Sequence, residues 1–219
     1  MEALQLVRSH VPDIIVSDVM MPRMNGYKLC KTIKEDINIS HIPVILLTAR
    51  DDRQSQISGY KNGADGYLSK PFEVEMLMEL IRNRLKNREY TKKRYLNAGL
   101  IPTPEESTIS LTDETFLIKL NSIIQENIEN SNLGIQFICQ EVGLGRSSLY
   151  NKLKALTGMG ANEYISKLRI EKAITLISGT DMPFSEIAEK TGFTTPSYFS
   201  TAFKQYTGET PSQYKERKK

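Results

Sequence analysis

The C-terminal third of this chain contains one pattern twice, at a separation of fifty residues. Residues 143–164, GLGRSSLYNKLKALTGMGANEY, are echoed by residues 192–214, GFTTPSYFSTAFKQYTGETPSQY. The corresponding pairs are Leu149 and Phe199, Leu153 and Phe203, Leu156 and Tyr206, Thr157 and Thr207, Gly158 and Gly208, and Tyr164 and Tyr214. Each copy follows a short apolar helix and a glycine turn. Two helix-turn-helix units on one scaffold indicate a protein that reads DNA.

The second helix of each copy has an apolar stripe and a polar face at 100° per residue. The predicted stripes are Leu149, Leu153 and Leu156 in the first copy, and Phe199, Ala202, Phe203 and Tyr206 in the second. The polar faces are Ser147, Asn151 and Lys154, with Tyr150 on the flank, and Ser197, Thr201 and Lys204, with Ser200 on the flank. The polar positions also correspond at an offset of fifty, which favours a shared role.

These side chains suit contacts with a duplex. Asn pairs bidentately with adenine, and Ser or Thr can hydrogen-bond to either a base or a phosphate. Lys154 and Lys204 are expected to neutralise phosphates, whereas Arg146 fits either role. The alternative is an ordinary helical bundle with solvated polar faces. The duplicated glycine turns argue against it, as do twelve Lys and Arg against eight Asp and Glu from Gly134 onward.

The segment 135–214 resembles the AraC-type DNA-binding domain. The matching motifs are GRSSLYNKLKALTG, NEYISKLRIEKAITLI and EIAEKTGFTTPSYFSTAFKQYTGETPSQYK. The resemblance implies seven helices, in which a long helix over Glu163–Ile177 joins the two helix-turn-helix units. It also implies recognition helices in successive major grooves of double-stranded DNA, about 34 Å apart. We further expect the chain to bind DNA as a homodimer.

The N-terminal part predicts a parallel α/β sheet, because short β-branched runs alternate with helical periodicity up to about Arg84. The expected strands are 14–16, 44–47 and 66–69, and the expected helices lie around 27–33, 56–61 and 74–85. Asp18, Thr48 and Lys70 follow the three strands, where ligands of open α/β sheets gather.

Three motifs, PDIIVSDVMMPRMNG, ILLTAR and GADGYLSKPF, resemble the second half of a response-regulator receiver domain. The resemblance runs from about Glu2 to Arg84 and implies that Asp18 is the phosphoacceptor. By it, Thr48 and Lys70 contact the phosphoryl group and Tyr67 is an aromatic switch. It also implies a cis peptide between Lys70 and Pro71.

A complete receiver begins with a strand that carries an acidic pair for Mg²⁺. This sequence starts inside the second helix of the pattern, so we expect a flavodoxin-like receiver that lacks its first two strands. Mg²⁺ is expected for an intact receiver, whereas the ligands here are Asp18 and the carbonyl of Met20, an incomplete site. The strand around Ile15 would then have an open apolar edge.

The expected organisation is a partial receiver at 1–86, a linker at 87–112 and an AraC-type domain at 113–219. The basic cluster at 92–94 and the prolines at 102 and 104 suggest the linker. The predicted fold class is α/β plus all-α.

The expected function is sequence-specific transcription regulation in a two-component phosphorelay, controlled in an intact parent by phosphorylation of Asp18. The alternative is a constitutive DNA-binding fragment whose truncated receiver is only a dimerisation or scaffold surface. A phosphodonor histidine kinase is the second expected partner, in the same polypeptide if the parent is a hybrid regulator rather than a stand-alone one. The segment itself is not expected to be an enzyme, since no P-loop, dinucleotide motif or nucleophile elbow occurs.

The expected location is the cytoplasm, with no membrane contact in this segment, although the parent could be anchored in the inner membrane. Two isolated cysteines give no disulfide framework, and the apolar runs are short.

Overall fold

The computed structural model describes residues 2–49, 63–98 and 110–218, without the side chains of residues 91 and 93–98. The chain divides into two compact units. One is Met1–Phe116 with Lys154–Gly158, and the other is Leu117–Leu153 with Met159–Lys219. The described ranges contain ten helices and a three-stranded parallel sheet. The predicted class, α/β plus all-α, is confirmed.

The first unit is built around the parallel sheet. Its elements are α1 (Glu2–His10), β1 (Ile15–Asp18), α2 (Gly26–Glu35), β2 (Val44–Thr48), β3 (Gly66–Ser69) and α3 (Val74–Ala98). The strand order is β1-β2-β3, with both pairs parallel. All three predicted strands are therefore confirmed, whereas the helix predicted at 56–61 lies outside the described residues.

Helices cover both faces of this sheet. Leu29 and Ile33 of α2 share a buried core with Val44 and Leu46 of β2. On the other face, a Cβ added to Gly66 would meet Ile45 at 3.1 Å and Leu80 of α3 at 3.2 Å. In the described part of the chain β1 pairs only with β2, and Val16 is 39% exposed, as expected for an edge strand.

Helix α3 is longer than predicted. The prediction ended it at residue 85 and assigned 87–112 to a linker, whereas the helix continues to Ala98 and α4 begins at Leu111. Residues 86–98, KNREYTKKRYLNA, contain neither glycine nor proline and are rich in good helix formers. The basic cluster at 92–94 therefore lies on a helix, and residues 99–109 lie outside the description.

The remaining helices are α4 (Leu111–Glu126), α5 (Ile135–Val142), α6 (Arg146–Thr157), α7 (Ala161–Gly179), α8 (Phe184–Lys190), α9 (Pro196–Thr207) and α10 (Pro211–Lys218). These seven helices confirm the predicted count for the described part. Ile170 and Ala173 of α7 form a buried core with Phe199 and Phe203 of α9. Phe199 and Phe203 meet edge to face with centroids 5.7 Å apart.

The ends of α9 follow from local sequence. Thr195 accepts a hydrogen bond from the Tyr198 amide at 3.2 Å, and Pro196 occupies the first helical position. Gly208 ends the helix in the left-handed conformation. No helix in the described ranges has the length and apolar character needed to cross a bilayer.

Candidate phosphorylation site and nucleic-acid interface

The carboxyl ends of the three strands bring Asp18, Thr48 and Lys70 to one edge of the sheet. Asp18 lies opposite Leu47 in the ladder, and Thr48 lies opposite Ser69. The Lys70 amide donates to the Thr48 carbonyl at 2.6 Å. The Lys70 ammonium forms an ion pair with Asp18 Oδ2, and the Met20 amide donates to Asp18 Oδ1 at 2.9 Å. The residues predicted from three separate motifs are therefore adjacent, and Lys70–Pro71 is cis, as predicted.

The environment of Asp18 favours its ionised form. The hydrogen bond from Lys70 lowers the pKa of the carboxyl below its ordinary value, and the amide of Met20 lowers it further. The side chain is 34% exposed, so a reactant can reach it from solvent. An ionised, accessible carboxylate beside a cation is the chemical form that attacks a phosphoryl group.

The loop after Asp18 depends on Gly26, the first residue of α2. A Cβ at this position would collide with the carbonyl of Asp18, because the Gly26 amide donates to the Val19 carbonyl at 3.0 Å. Asn25 caps the helix by accepting from the Lys28 amide at 2.9 Å. The MNG sequence thus lets α2 begin against the end of β1.

Thr48 and Tyr67 occupy different environments. Thr48 is buried, with 2% exposure, whereas Tyr67 is half-buried. The Tyr67 hydroxyl lies 3.3 Å from the Tyr27 hydroxyl on the first turn of α2. Sequence reasoning missed Tyr27 as a partner of the proposed switch, because forty residues separate the two tyrosines.

The described residues at this edge offer few ligands for Mg²⁺. The ion takes about six oxygen ligands, several of them waters, and proteins usually bind it through one or two carboxylates. Here both oxygens of Asp18 already accept hydrogen bonds, and the described ranges contain no group of three His, Cys, Asp or Glu placed to hold a metal. Coordination by the Met20 carbonyl stays a prediction.

The two recognition helices bury most of their predicted stripes. Leu149 and Leu153 of α6 and Phe199 and Phe203 of α9 are each at most 1% exposed. The predicted polar faces lie on the opposite side. The exposed members are Arg146, Ser147, Tyr150 and Lys154 on α6 and Ser197, Thr201 and Lys204 on α9, while Asn151 and Ser200 are half-buried. Each helix therefore presents a polar surface that a duplex can reach.

One residue that the sequence assigned to the buried stripe of α9 is exposed. Tyr206 is 41% exposed, and its hydroxyl donates to Glu171 of α7 at 3.2 Å. The prediction that it belongs to the buried stripe is wrong, because a tyrosine at the stripe margin can direct its hydroxyl to solvent and a carboxylate.

Sequence reasoning also missed exposed residues on α9. Gln205 lies one helical turn after Thr201 on the exposed side, and its amide suits adenine as Asn does. It corresponds to Ala155 in the first copy, so the repeat did not point to it. Tyr198 is 55% exposed and packs edge to face on Phe193, with centroids 5.7 Å apart.

Two family models match the chain. The response regulator receiver domain matches residues 1–82, and a helix-turn-helix domain matches residues 138–217. A probable transcriptional regulator, ycf29 of Pyropia yezoensis, is 30% identical over 174 residues, which cover 74% of this chain and 78% of that protein. The chain belongs to the response-regulator family. Its receiver precedes an AraC-type DNA-binding domain, which makes it a DNA-binding response regulator of two-component systems.

This response regulator is also similar to a much longer protein. Histidine kinase P4 of Formosa agariphila is 43% identical over 215 residues, which cover 98% of this chain but only 16% of the kinase. Among solved structures, the C-terminal domain of AraT from Geobacillus stearothermophilus is 31% identical. That match has a TM-score of 0.44 and covers 47% of this chain and 84% of the solved one.

Proposed function

We propose that this response regulator binds double-stranded DNA sequence-specifically, as a homodimer, with α6 and α9 in successive major grooves. The observation that carries the proposal is the pair of matched polar faces. Ser147 and Ser197, and likewise Lys154 and Lys204, are exposed at equivalent positions on helices whose opposite sides are buried. A structural bundle has no need to repeat the same exposed polar positions in both units.

The roles within each face follow from side-chain chemistry. Asn151 on α6 and Gln205 on α9 offer a carbonyl and an amide to the edge of adenine. Arg146, Lys154 and Lys204 are charged and exposed, which suits phosphate contacts that position the helix without reading sequence. The serines, Thr201 and Tyr150 complete the surface.

Two substitutions separate base reading from phosphate binding. Asn151→Ala should relax preference at one base position, at a cost of about 1–3 kcal/mol on the preferred sequence. Lys204→Ala should weaken binding to all sequences alike and reduce the salt slope of log K by about one. Fluorescence anisotropy on duplexes selected from a random pool, over a range of salt concentrations, measures both effects.

A change at Glu186 provides the matched control, because Glu186→Ala alters an exposed charge on α8 rather than on a recognition helix. Footprinting should show protection over two successive major grooves. If the wild-type chain shows no preference over random DNA at physiological salt, the DNA-reading function is refuted.

We also propose that the intact parent controls DNA binding through phosphorylation of Asp18. One carboxylate oxygen attacks the phosphorus of a phosphohistidine, an acyl phosphate forms, and the imidazole leaves. The ammonium of Lys70, which pairs with Asp18, would then exchange this partner for a phosphoryl oxygen. Movement of Thr48 toward the phosphoryl group would let Tyr67 leave Tyr27 and turn inward, which would change the dimerisation face.

A second candidate is a constitutive DNA-binding fragment whose receiver is not phosphorylated. Both oxygens of Asp18 are already engaged in hydrogen bonds, and the described residues contain no group of three acidic, His or Cys side chains placed to hold a metal, which favours this candidate. The two candidates differ in one observable, namely whether the chain forms an acyl phosphate on Asp18.

We further propose that the parent is a hybrid regulator with a histidine kinase in the same polypeptide. The support is the similarity to Histidine kinase P4 along 98% of this chain. Because DNA is the proposed partner, we expect this segment to act in the cytoplasm. Anchoring of the parent in the inner membrane stays a prediction.

A further inference from the structure

Arg169 is a buried cation in the middle of α7, and its contacts reach both helix-turn-helix units. Only 9% of the residue is exposed. Its Nη2 donates to the Asn130 carbonyl at 2.7 Å, in the turn between α4 and α5. Its guanidinium carbon lies 5.9 Å from the centre of the Phe193 ring, in the turn between α8 and α9.

The two turns also approach each other directly beside this arginine. Gly192 adopts φ +73°, and a Cβ there would collide with the carbonyl of Ile128 and lie 2.9 Å from Arg169 Nη2. Glycine therefore serves both the left-handed backbone and the close approach. We call Ile128, Asn130, Arg169, Gly192 and Phe193 the clasp.

Each side of the clasp continues into a recognition unit. On one side, the Asn130 carbonyl also accepts from the Leu133 amide at 3.0 Å, and α5 begins two residues later. On the other side, Phe193 packs on Phe199 with centroids 5.4 Å apart, and Phe199 is a fully buried residue of α9. The clasp thus connects the start of α5 to α9 through side-chain and backbone contacts. These contacts add to the covalent connection that α7 provides.

We propose that Arg169, as a positioning residue, fixes the angle between the two helix-turn-helix units and thereby restricts the chain to operators of one half-site spacing. The proposal rests on the proposed two-groove DNA binding. A single helix can bend or twist under load, whereas a second attachment through a buried arginine restrains both units. The loss of that restraint should cost spacing selectivity rather than affinity for either half-site.

The test uses the full chain and a duplex that the wild-type protein selects from a random pool. Insertion of two base pairs between the halves rotates one half-site by about 70°. The wild type should then lose about 100-fold in affinity, because only one unit can engage. For Arg169→Met, the same insertion should reduce the affinity by less than about tenfold, and the affinity for either isolated half-site should be unchanged. Lys172→Met, which removes a charge from the same helix three residues away, is the control.

A DNA-free measurement keeps the inference separate from the proposed function. Spin labels at Ser147→Cys and Ser197→Cys, in a background with Cys30→Ala and Cys139→Ser, report the distance between α6 and α9. The labelled chain that retains Arg169 should give one narrow distribution of label-to-label distances. Addition of Arg169→Met should broaden that distribution. If no duplex is selected at all, DNA reading fails while this measurement still tests the clasp.

Two milder variants test the same proposal if Arg169→Met does not fold. Arg169→Lys keeps the charge but loses the guanidinium fork, and Gly192→Ala disturbs the clasp from its other side. Both should broaden the distance distribution and flatten the spacing profile. An unchanged distribution and an unchanged spacing profile in folded variants would overturn the proposal.

Discussion

At the scale of single residues, the most consequential contact is the ion pair between Lys70 and Asp18. The hydrogen bond from Lys70 is the largest cause of the lowered pKa of the Asp18 carboxyl. Because the folded-state pKa is depressed, the stabilisation from this pair is present at neutral pH and is lost as pH falls through the folded pKa. Lys70 therefore favours the ionised form of Asp18.

Removal of the Lys70 charge should raise the pKa of Asp18 toward its ordinary value. In Lys70→Gln the carboxylate keeps the Met20 amide but loses its cation, so the ionised form is less favoured. Carbon-detected NMR titration of the Asp18 carboxyl measures the change, with the exposed Lys28→Gln as control. An identical Asp18 titration curve in Lys70→Gln would show that the ion pair does not control this group.

At the scale of elements, the recognition helices are defined by their caps as much as by their stripes. The Thr195 hydroxyl accepts the Tyr198 amide, and Pro196 needs no amide partner at the first helical position. Thr195 and Pro196 place the start of α9 immediately before Ser197. The register of the whole polar face therefore depends on two residues outside that face.

Loss of this cap should destabilise the helix measurably. Thr195→Ala leaves the Tyr198 amide without its acceptor and should lower the free energy of unfolding by about 1 kcal/mol. Thr195→Ser retains the hydroxyl and should stay close to wild type. Urea denaturation followed by circular dichroism compares the midpoints, and equal midpoints for the alanine and serine variants would show that the cap contributes nothing.

At the scale of the whole molecule, the receiver sheet and the second helix-turn-helix unit have separate hydrophobic cores. The sheet core contains Ile33 and Val44, and the helical core contains Phe199 and Phe203. Phosphorylation control therefore requires that a change at Asp18 alters the DNA affinity of a different unit. A constitutive regulator has no such requirement.

A small-molecule phosphodonor, supplied with Mg²⁺, distinguishes controlled from constitutive binding. If phosphorylation controls DNA binding, a labelled donor should leave its phosphoryl group on the chain as an acyl phosphate that hydroxylamine cleaves. The affinity for DNA should then shift by a factor of about 5–150. Asp18→Asn should show neither effect and should bind DNA as the unlabelled wild type does. A wild-type chain that takes up no label, yet binds its duplex, would establish constitutive binding for this segment.

The proximity of the three residues at the sheet edge could be predicted because it depends only on parallel strands. Asp18, Thr48 and Lys70 each follow a strand, and parallel strands end at the same edge of a sheet, so their proximity required only the strand assignments. The polar faces of α6 and α9 followed likewise from helical periodicity and the fifty-residue offset. The end of α3 did not follow from its basic cluster, which suggests a linker, although the absence of glycine and proline from residues 86–98 favours a helix.

The sequence by itself determined the two architectures, the strand ends that hold Asp18 and the faces that α6 and α9 expose. These depend on periodicity and on turn residues that act within a few positions. Only the tertiary structure decided the pairing of Tyr27 with Tyr67, the exposure of Tyr206 and the clasp around Arg169. Those contacts join residues between 23 and 64 positions apart, and they depend on how packed elements meet, which no local pattern encodes.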